Sequence, residues 1–301
     1  MAVDSTFPAP LLAKNGWPWE APVLHEGHSL GDKHPYPKIS IITPSLNQGD
    51  FIEECIRSVL LQQYPNLEYI IIDGGSQDNT VNIIKKYEPW IDYWVSEEDS
   101  GQSQAINKGM KIATGDIVAW LNSDDMYFPG VFFEIARQFS IYSNKLLCVG
   151  DCEFVTSEET FIWKSKIPSL YKLLLHPYLH VVEKKSIHMP PQPSVFIASS
   201  LYKKNGKLDE NLYYGMDYDL WLRLLINDAK FVYVSKVFSR YKIHDKSKSG
   251  SGFDCFLPEW KKVSCGHIGR LPLTKRIVFE FVKFSVIAKV FATIFARKMK
   301  K

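Results

Sequence analysis

The residues best suited to chemistry in this 301-residue chain are Asn122-Ser123-Asp124-Asp125. They follow an apolar run, Ile117 to Leu121, that reads as a buried strand. Ligands of open α/β sheets bind beyond the carboxyl ends of such strands. Two adjacent carboxylates there form a hard-oxygen set suited to Mg²⁺ or Mn²⁺. Ions of that kind usually neutralise phosphates, so the motif points to a metal–diphosphate site. The same pair is also an ordinary solvated turn ahead of a helix starting near Pro129, and only the surroundings separate the two readings. A second acidic pair, Asp217 and Asp219, opens a helix that buries Leu220, Trp221, Leu224 and Leu225. A carboxylate is favoured at a helix start by the dipole, and a plain N-cap is the competing reading. His176, His180 and His188 read as surface or packing residues.

The elements that must position these groups alternate strand and helix. The spacing predicts strands over 38–43, 67–72, 91–95 and 116–121, with helices over 50–63, 79–87 and 103–113 between them. Near-continuous apolar strands joined by helices predict a parallel, doubly wound sheet. The loops after the strands then share one edge, and they carry Asn47, Asp73, Ser76, Gln102 and Asp124. Polar residues recurring at that edge predict a nucleotide pocket. Gly74-Gly75 permits close backbone approach to a ligand. The second half is less regular. A helix is expected over 131–139, strands near 147–155, 160–166 and 192–197, and two further strands over 231–234 and 237–243.

Composition narrows the class. Apolar residues make up 46% of the chain, with 18 Phe, 15 Tyr and 8 Trp, enough for a sizeable core. Net charge is +3, unevenly spread: Arg270 to the end holds nine Lys/Arg and one Glu, leaving a mildly acidic body. Nucleic-acid binders line a groove of the fold with basic residues, so this pattern argues against a nucleic-acid partner. Five cysteines without a CxxC pair predict reduced thiols, no zinc site and a cytoplasmic compartment. No secretory leader is read at the N-terminus. Residues 1–37 are Pro-rich and predict an extended arm laid over the domain by Trp17 and Trp19. The last segment, from Leu273, is apolar with scattered charge. Its Ile277–Ala296 stretch has spanning length, but Glu280, Lys283 and Lys289 argue against a span. It reads instead as an interfacial helix on the inner face of the cell membrane, with packing on the domain or a partner as the alternative.

Six motifs then occur in one order: Ile41-Ile42-Thr43-Pro44-Ser45-Leu46-Asn47-Gln48-Gly49, Asp73-Gly74-Gly75-Ser76-Gln77-Asp78-Asn79-Thr80, Asn107-Lys108-Gly109, Gly115-Asp116, Asn122-Ser123-Asp124-Asp125 and Asp217-Tyr218-Asp219-Leu220-Trp221-Leu222-Arg223. Together they resemble the family-2 inverting glycosyltransferases of GT-A fold, of the bacterial cell-surface polysaccharide type. The resemblance implies a Rossmann-like, doubly wound, mostly parallel sheet with a smaller acceptor-side region and a C-terminal helix. It divides the chain into the arm (1–37), a transferase domain (38–245), and a linker with the basic apolar helix (246–301). The donor it implies is a nucleoside-diphosphate sugar, and the acceptor a hydroxyl on a glycan or lipid-linked glycan. Thr43, Pro44 and Ser45 would touch the nucleoside, Asp73 would accept from the base ring N–H, and Ser76 would lie beside them. Asn107 and Lys108 match the family position that follows the donor-binding helix, and Asp124 would meet the ribose or sugar. Asp125 and His244 would ligate Mn²⁺ or Mg²⁺, and Asp217 would be the general base. Trp221 and Arg223 read as structural. Two positions depart from the family pattern. Ile106 stands where Arg often precedes the Asn, which shifts phosphate or sugar contacts toward Gln102, Gln104 or Lys108. Met216 stands where Glu often precedes the base, which leaves the assignment resting on Asp217 and Asp219 pointing different ways.

The implied chemistry is direct displacement. A divalent ion bridging the phosphates offsets charge on the departing diphosphate, and a carboxylate takes the proton of the attacking hydroxyl. No covalent intermediate is needed, so no nucleophile is assigned. Two other functions remain. A sugar nucleotidyltransferase would want a basic, Gly-rich loop after the first strand, and Pro44 to Gly49 has no basic residue. A non-catalytic carbohydrate- or partner-binding protein on the same fold would be expected to have lost Asp124, Asp125 or Asp217, and all three are present.

Overall fold

The computed structural model describes residues 7–11, 14–20, 36–142, 146–182 and 189–299. His188 and most of the arm lie outside the described residues. The first half of the chain alternates strictly: β1 (Ile39–Ser45), α1 (Ile52–Leu60), β2 (Leu67–Asp73), α2 (Thr80–Tyr87), β3 (Tyr93–Ser96), α3 (Gln102–Ile112) and β4 (Ile117–Trp120). The strands run parallel in the order β3-β2-β1-β4. Both faces of this sheet are dry, which is why its strands read as apolar runs rather than alternations. Ile42, Ile70, Ile72, Val118 and Trp120 face the α3 side; Ile39, Ile41, Tyr69, Ile71, Ile117 and Ala119 face α1 and α2. α3 sits so close to β1 that a Cβ on Gly109 would lie 2.5 Å from Ile42 Cγ2.

The second half extends the sheet with mixed strands. It comprises β5 (Met126–Tyr127), α4 (Val131–Ile141), β6 (Leu146–Val155), β7 (Thr160–Trp163), α5 (Leu170–Leu174), α6 (His176–Val182), β8 (Val195–Ala198), α7 (Ser199–Asn205), α8 (Met216–Ile226), β9 (Lys230–Lys242), α9 (Leu257–Arg270) and α10 (Leu273–Met299). β8 joins β4 and β6 antiparallel, and β6 pairs parallel with β9. The two strands expected over 231–243 are one. Its register slips opposite Gly150 and Asp151, so Val234 and Val237 take successive partners and the residues between them bulge out. The segment expected as a strand from Gln192 begins as a 3₁₀ turn, Gln192–Ser194.

Described parts of the arm lie on α1. The buried Arg57 donates to the carbonyls of Pro8, Pro18 and Trp19, and Trp17 Nε1 donates to the Tyr127 carbonyl at 2.7 Å. His176 and His180 pack against Trp260 with ring centroids 4.6 and 5.5 Å away. The five cysteines are free thiols. Among the described residues no helix is long and apolar enough to cross a membrane.

Candidate active site

A cavity of about 380 Å³ opens at the carboxyl ends of β1, β3 and β4 and is closed on the far side by α8 and the 246–248 turn. Among the carboxylates that line it are Asp124, after β4, and Asp217, at the start of α8. The elements carrying them are fastened together. The Trp221 ring of α8 stacks on Trp120 of β4 with centroids 5.8 Å apart and planes at 17°. Both indoles are fully buried.

Asp217 and Asp219 point apart. Asp219 accepts from Arg223 Nε at 2.8 Å and meets His267 Nε2 at 2.8 Å; these partners hold its carboxyl below the usual range even though burial opposes them. Asp217 lines the cavity and accepts only the Tyr218 N–H at 2.7 Å among the bonds of its side chain described. Burial pushes its carboxyl up to about 6, with the Tyr218 N–H and the charge of Lys248 pulling the other way. The helix start is fixed from across the chain. Glu259 of α9 accepts the N–H groups of Tyr213, Tyr214 and Gly215 at 3.0, 2.7 and 2.8 Å, doing from a distance what an N-cap side chain does locally. Arg223 donates to the Asn205, Gly206 and Lys207 carbonyls, and so braces α8 rather than touching the cavity.

Asp124 and Asp125 also separate. Asp125 is buried beneath the turn; its carboxylate accepts the Lys242 N–H at 3.1 Å and Asn122 Nδ2 at 3.3 Å. Burial and the neighbouring Asp124 charge push it well above the carboxylate range. The group that meets His244 Nε2, at 3.2 Å, is Asp124 Oδ2. Of the expected pair Asp125 and His244, the histidine meets Asp124 instead, because the turn that follows β4 sends the second acid inward. His244 stacks on Phe51 at 4.3 Å. It is placed by a tight turn in which Ser247 N and Oγ both donate to its carbonyl, and a Cβ on Gly250 would strike that same carbonyl oxygen at 2.2 Å. Among the described residues no group of three or more His, Cys, Asp or Glu converges on one point. The Asp124 carboxylate and His244 imidazole suit a divalent ion that draws its remaining ligands from a diphosphate and water.

The donor-side residues divide into wall and frame. Pro44, Ser45 and Gln102 line the cavity, and Gln102 Nε2 donates to Asn122 Oδ1 at 2.6 Å. Ser45 Oγ is buried without a partner among the described residues, as is Oε1 of the neighbouring Gln48, and both residues belong to the wall. Thr43 does not reach it; its hydroxyl is fully buried 3.2 Å from Tyr69 OH. Asp73 accepts three protons, from Ser76 N, Ser76 Oγ and Ser96 Oγ. It is fully buried and does not line the cavity, so it frames the loop rather than facing a ligand. Asn47 and Ser76 join the first two loops, through Asn47 N to Ser76 Oγ and Gln77 N to Asn47 Oδ1. Lys108 is paired with Glu97 at 2.8 Å, away from the wall.

Asn107 departs most from expectation. Its amide donates to the Leu208 carbonyl and Glu210, and accepts the Leu208 N–H, so it ties α3 to the loop before α8. Asn107→Ala should lower stability by about 1–3 kcal/mol without changing donor affinity, checked by denaturant unfolding and ligand titration of the same variant.

Three wall residues carry no obvious motif. Asp99, from the loop after β3, accepts the Gly101 N–H at 2.8 Å; its place at the polar edge was the available signal. Gln192 joins the Trp120 carbonyl to Asn122 and sat inside an expected strand. Lys248 donates to the Tyr213 carbonyl at 2.7 Å and lies 4.0 Å over the Tyr213 ring. Burial draws its ammonium down to about 8, against the pull of Asp217 and Glu259. Nothing local in the sequence marks it.

Comparison with known proteins agrees with this architecture. The family model described as Glycosyl transferase family 2 matches residues 40–205. An uncharacterized glycosyltransferase of Rickettsia typhi (strain ATCC VR-144 / Wilmington) is 30% identical over 254 residues, covering 81% of this chain and 76% of its own. One from Rickettsia prowazekii (strain Madrid E) is 32% identical, covering 70% of this chain and 64% of its own. Staphylococcus aureus TarS 1–349, solved with UDP-GlcNAc, superposes with a TM-score of 0.60 at 19% identity, over 78% of this chain and 68% of that one. The mannosyltransferase PcManGT from Pyrobaculum calidifontis, solved with GDP-Man and Mn²⁺, gives 0.52 at 14%, over 87% and 86%.

Proposed function

The chain belongs to glycosyl transferase family 2 and is a glycosyltransferase of GT-A fold, and from that premise we propose that it moves a sugar from a nucleoside-diphosphate sugar to a hydroxyl of a glycan or lipid-linked acceptor, with inversion at the anomeric carbon. The observation carrying this reading is the convergence of Asp217, Asp124 and the unpaired oxygens of Ser45 and Gln48 on one cavity. The nucleoside sits by Pro44 and Ser45, on a loop that the buried Asp73 helps to frame. Two structural relatives bind donors of this class, UDP-GlcNAc in one and GDP-Man with Mn²⁺ in the other.

Asp217 takes the acceptor proton as the new glycosidic bond forms. With the acceptor at Asp217 and the diphosphate at Asp124, base and leaving group would lie on opposite sides of the reacting carbon, and a single displacement would invert it. Asp124 and His244 would hold a Mn²⁺ or Mg²⁺ ion, which as a Lewis acid would offset charge gathering on the departing diphosphate. The aromatic wall around Tyr213, Tyr214 and Trp260 offers apolar faces to a sugar acceptor, and it excludes water from the base. The setting we propose is surface-polysaccharide or lipid-linked glycan synthesis at the cytoplasmic side of the membrane.

The base also sets a pH dependence. Asp217 must be ionised to accept a proton, and burial raises its carboxyl to about 6. Activity is therefore full above that value and falls as pH drops through it; kcat/KM should show an acid limb near 6 rather than near 4, read from a pH–rate profile. The donor class is tested by thermal shift against a panel of nucleotide sugars with Mn²⁺. A stabilising nucleoside-diphosphate sugar supports the reading, and a panel that shifts nothing counts against it.

A further inference from the structure

Helix α10 is apolar on two opposite sides. At 100° per residue, Phe279, Val282 and Val286 turn toward the core, with Phe279 only 2% exposed. On the same side Lys275 donates to the Ile226 carbonyl at 3.3 Å. About half a turn round, Leu273, Ile277, Phe281 and Phe284 fall at i, i+4, i+8 and i+11 and form one stripe. Leu273, Phe281 and Phe284 are 73%, 71% and 74% exposed. Among the described side chains of the helix, packing on the core uses Phe279, Val282 and Val286 and none of this stripe.

Charge beside the stripe is net basic: Arg276, Glu280 and Lys283 fall along one edge of it, and Glu280, the one acid between residues 270 and 288, is paired with Lys283 at 3.3 Å. The sequence continues with Lys289, Arg297, Lys298, Lys300 and Lys301. We infer that this stripe is a docking surface for an anionic lipid bilayer, with the phenylalanines seated at the headgroup–acyl boundary and the basic residues among the phosphates. A second copy of the chain would also cover the stripe, but it would bring together two edges that are each net basic. An anionic bilayer satisfies both the apolar and the charged parts. The inference does not depend on the catalytic reading above.

The test is co-sedimentation of the full chain with vesicles of phosphatidylcholine alone and of phosphatidylcholine with phosphatidylglycerol. Binding is expected to the mixed vesicles and to weaken at high salt. Phe281→Ser with Phe284→Ser should reduce partitioning roughly tenfold or more, with an unchanged melting temperature because both rings are exposed. Arg276→Gln with Lys283→Gln should remove the preference for anionic vesicles. Both double variants should keep wild-type thermal shifts with nucleotide sugars. Failure of the wild type to bind mixed vesicles, or wild-type binding by the phenylalanine variant, would overturn the inference. So would a wild-type dimer in sedimentation velocity that the phenylalanine variant dissociates.

Discussion

Asp217→Asn is expected to reduce sugar transfer by about 10²–10⁴-fold, the range a positioned general base supplies, while leaving the affinity for nucleotide sugar near that of the wild type. The split follows from position. Asp217 lines the cavity from α8, while the donor-side wall comes from the strand ends, so in the proposed reaction it would meet the acceptor hydroxyl rather than the nucleotide. The variant should fold. α8 starts from the three N–H bonds to Glu259, and none of them uses Asp217. A carboxyl whose native pKa is raised to about 6 stabilises the fold below the unfolded value and loses that contribution as pH rises through 6. Asn should therefore not be less stable than Asp at pH 8. Asp219→Asn provides the contrast. It breaks the contacts with Arg223 and His267, so it should lower the melting temperature more than it changes turnover of the folded fraction. Steady-state kinetics, donor titration and thermal melts on the two variants separate these effects. Undiminished turnover in Asp217→Asn would remove the base from the mechanism.

The second large effect is expected at Asp124. Asp124→Asn should lower kcat/KM by roughly 10²–10³-fold, as loss of electrostatic support for a leaving group does, and it should raise the Mn²⁺ concentration needed for half-maximal rate. His244→Ala should shift the same Mn²⁺ dependence in the same direction, because its Nε2 stands 3.2 Å from the Asp124 carboxylate. Asp125→Asn should leave the dependence where it is. That carboxylate is buried and faces Lys242 N and Asn122 rather than the cavity. A chelator should stop the wild-type reaction, and added Mn²⁺ should restore it. If Asp125→Asn moved the Mn²⁺ dependence and Asp124→Asn did not, the inward turn after β4 would be the wrong basis for choosing between the two acids.

Much of this was legible from local pattern. The strands β1, β2 and β4 are apolar on both faces, and that alone marks a sheet covered by helices on each side. A parallel strand–helix repeat places every post-strand loop at one edge, and of the polar residues of those loops Gln102 and Asp124 line the cavity, while Asn47, Asp73 and Ser76 tie the loops to one another. What local pattern could not fix was orientation. Asp124 and Asp125 are neighbours, and whether the first or the second meets His244 depends on a turn closed by Asp125 N to the Asn122 carbonyl. Asp217 and Asp219 lie on one helix turn, and their separation needed α9, whose His267 claims the second. Contacts across long stretches of chain left no mark in the sequence at all. Glu259 fixes the start of α8 from more than forty residues away, and Lys248 gains its place only when the turn after β9 folds over Tyr213. Asn107 shows the converse case: its motif suggested a donor contact, but its amide is used up on the chain at 208–210. The bulge in β9 is a further instance, since a break between two expected strands is also what one strand with extra residues looks like.

The central claim is direct displacement from a nucleotide sugar by an acceptor that Asp217 deprotonates. Proton NMR of the wild-type reaction, run with Mn²⁺ and the nucleotide sugar that most raises the melting temperature, tests it most directly. The predicted result is release of nucleoside diphosphate together with a product of opposite anomeric configuration to the donor, and no such product from Asp217→Asn. Release of pyrophosphate, or a product that keeps the donor's configuration, would contradict it.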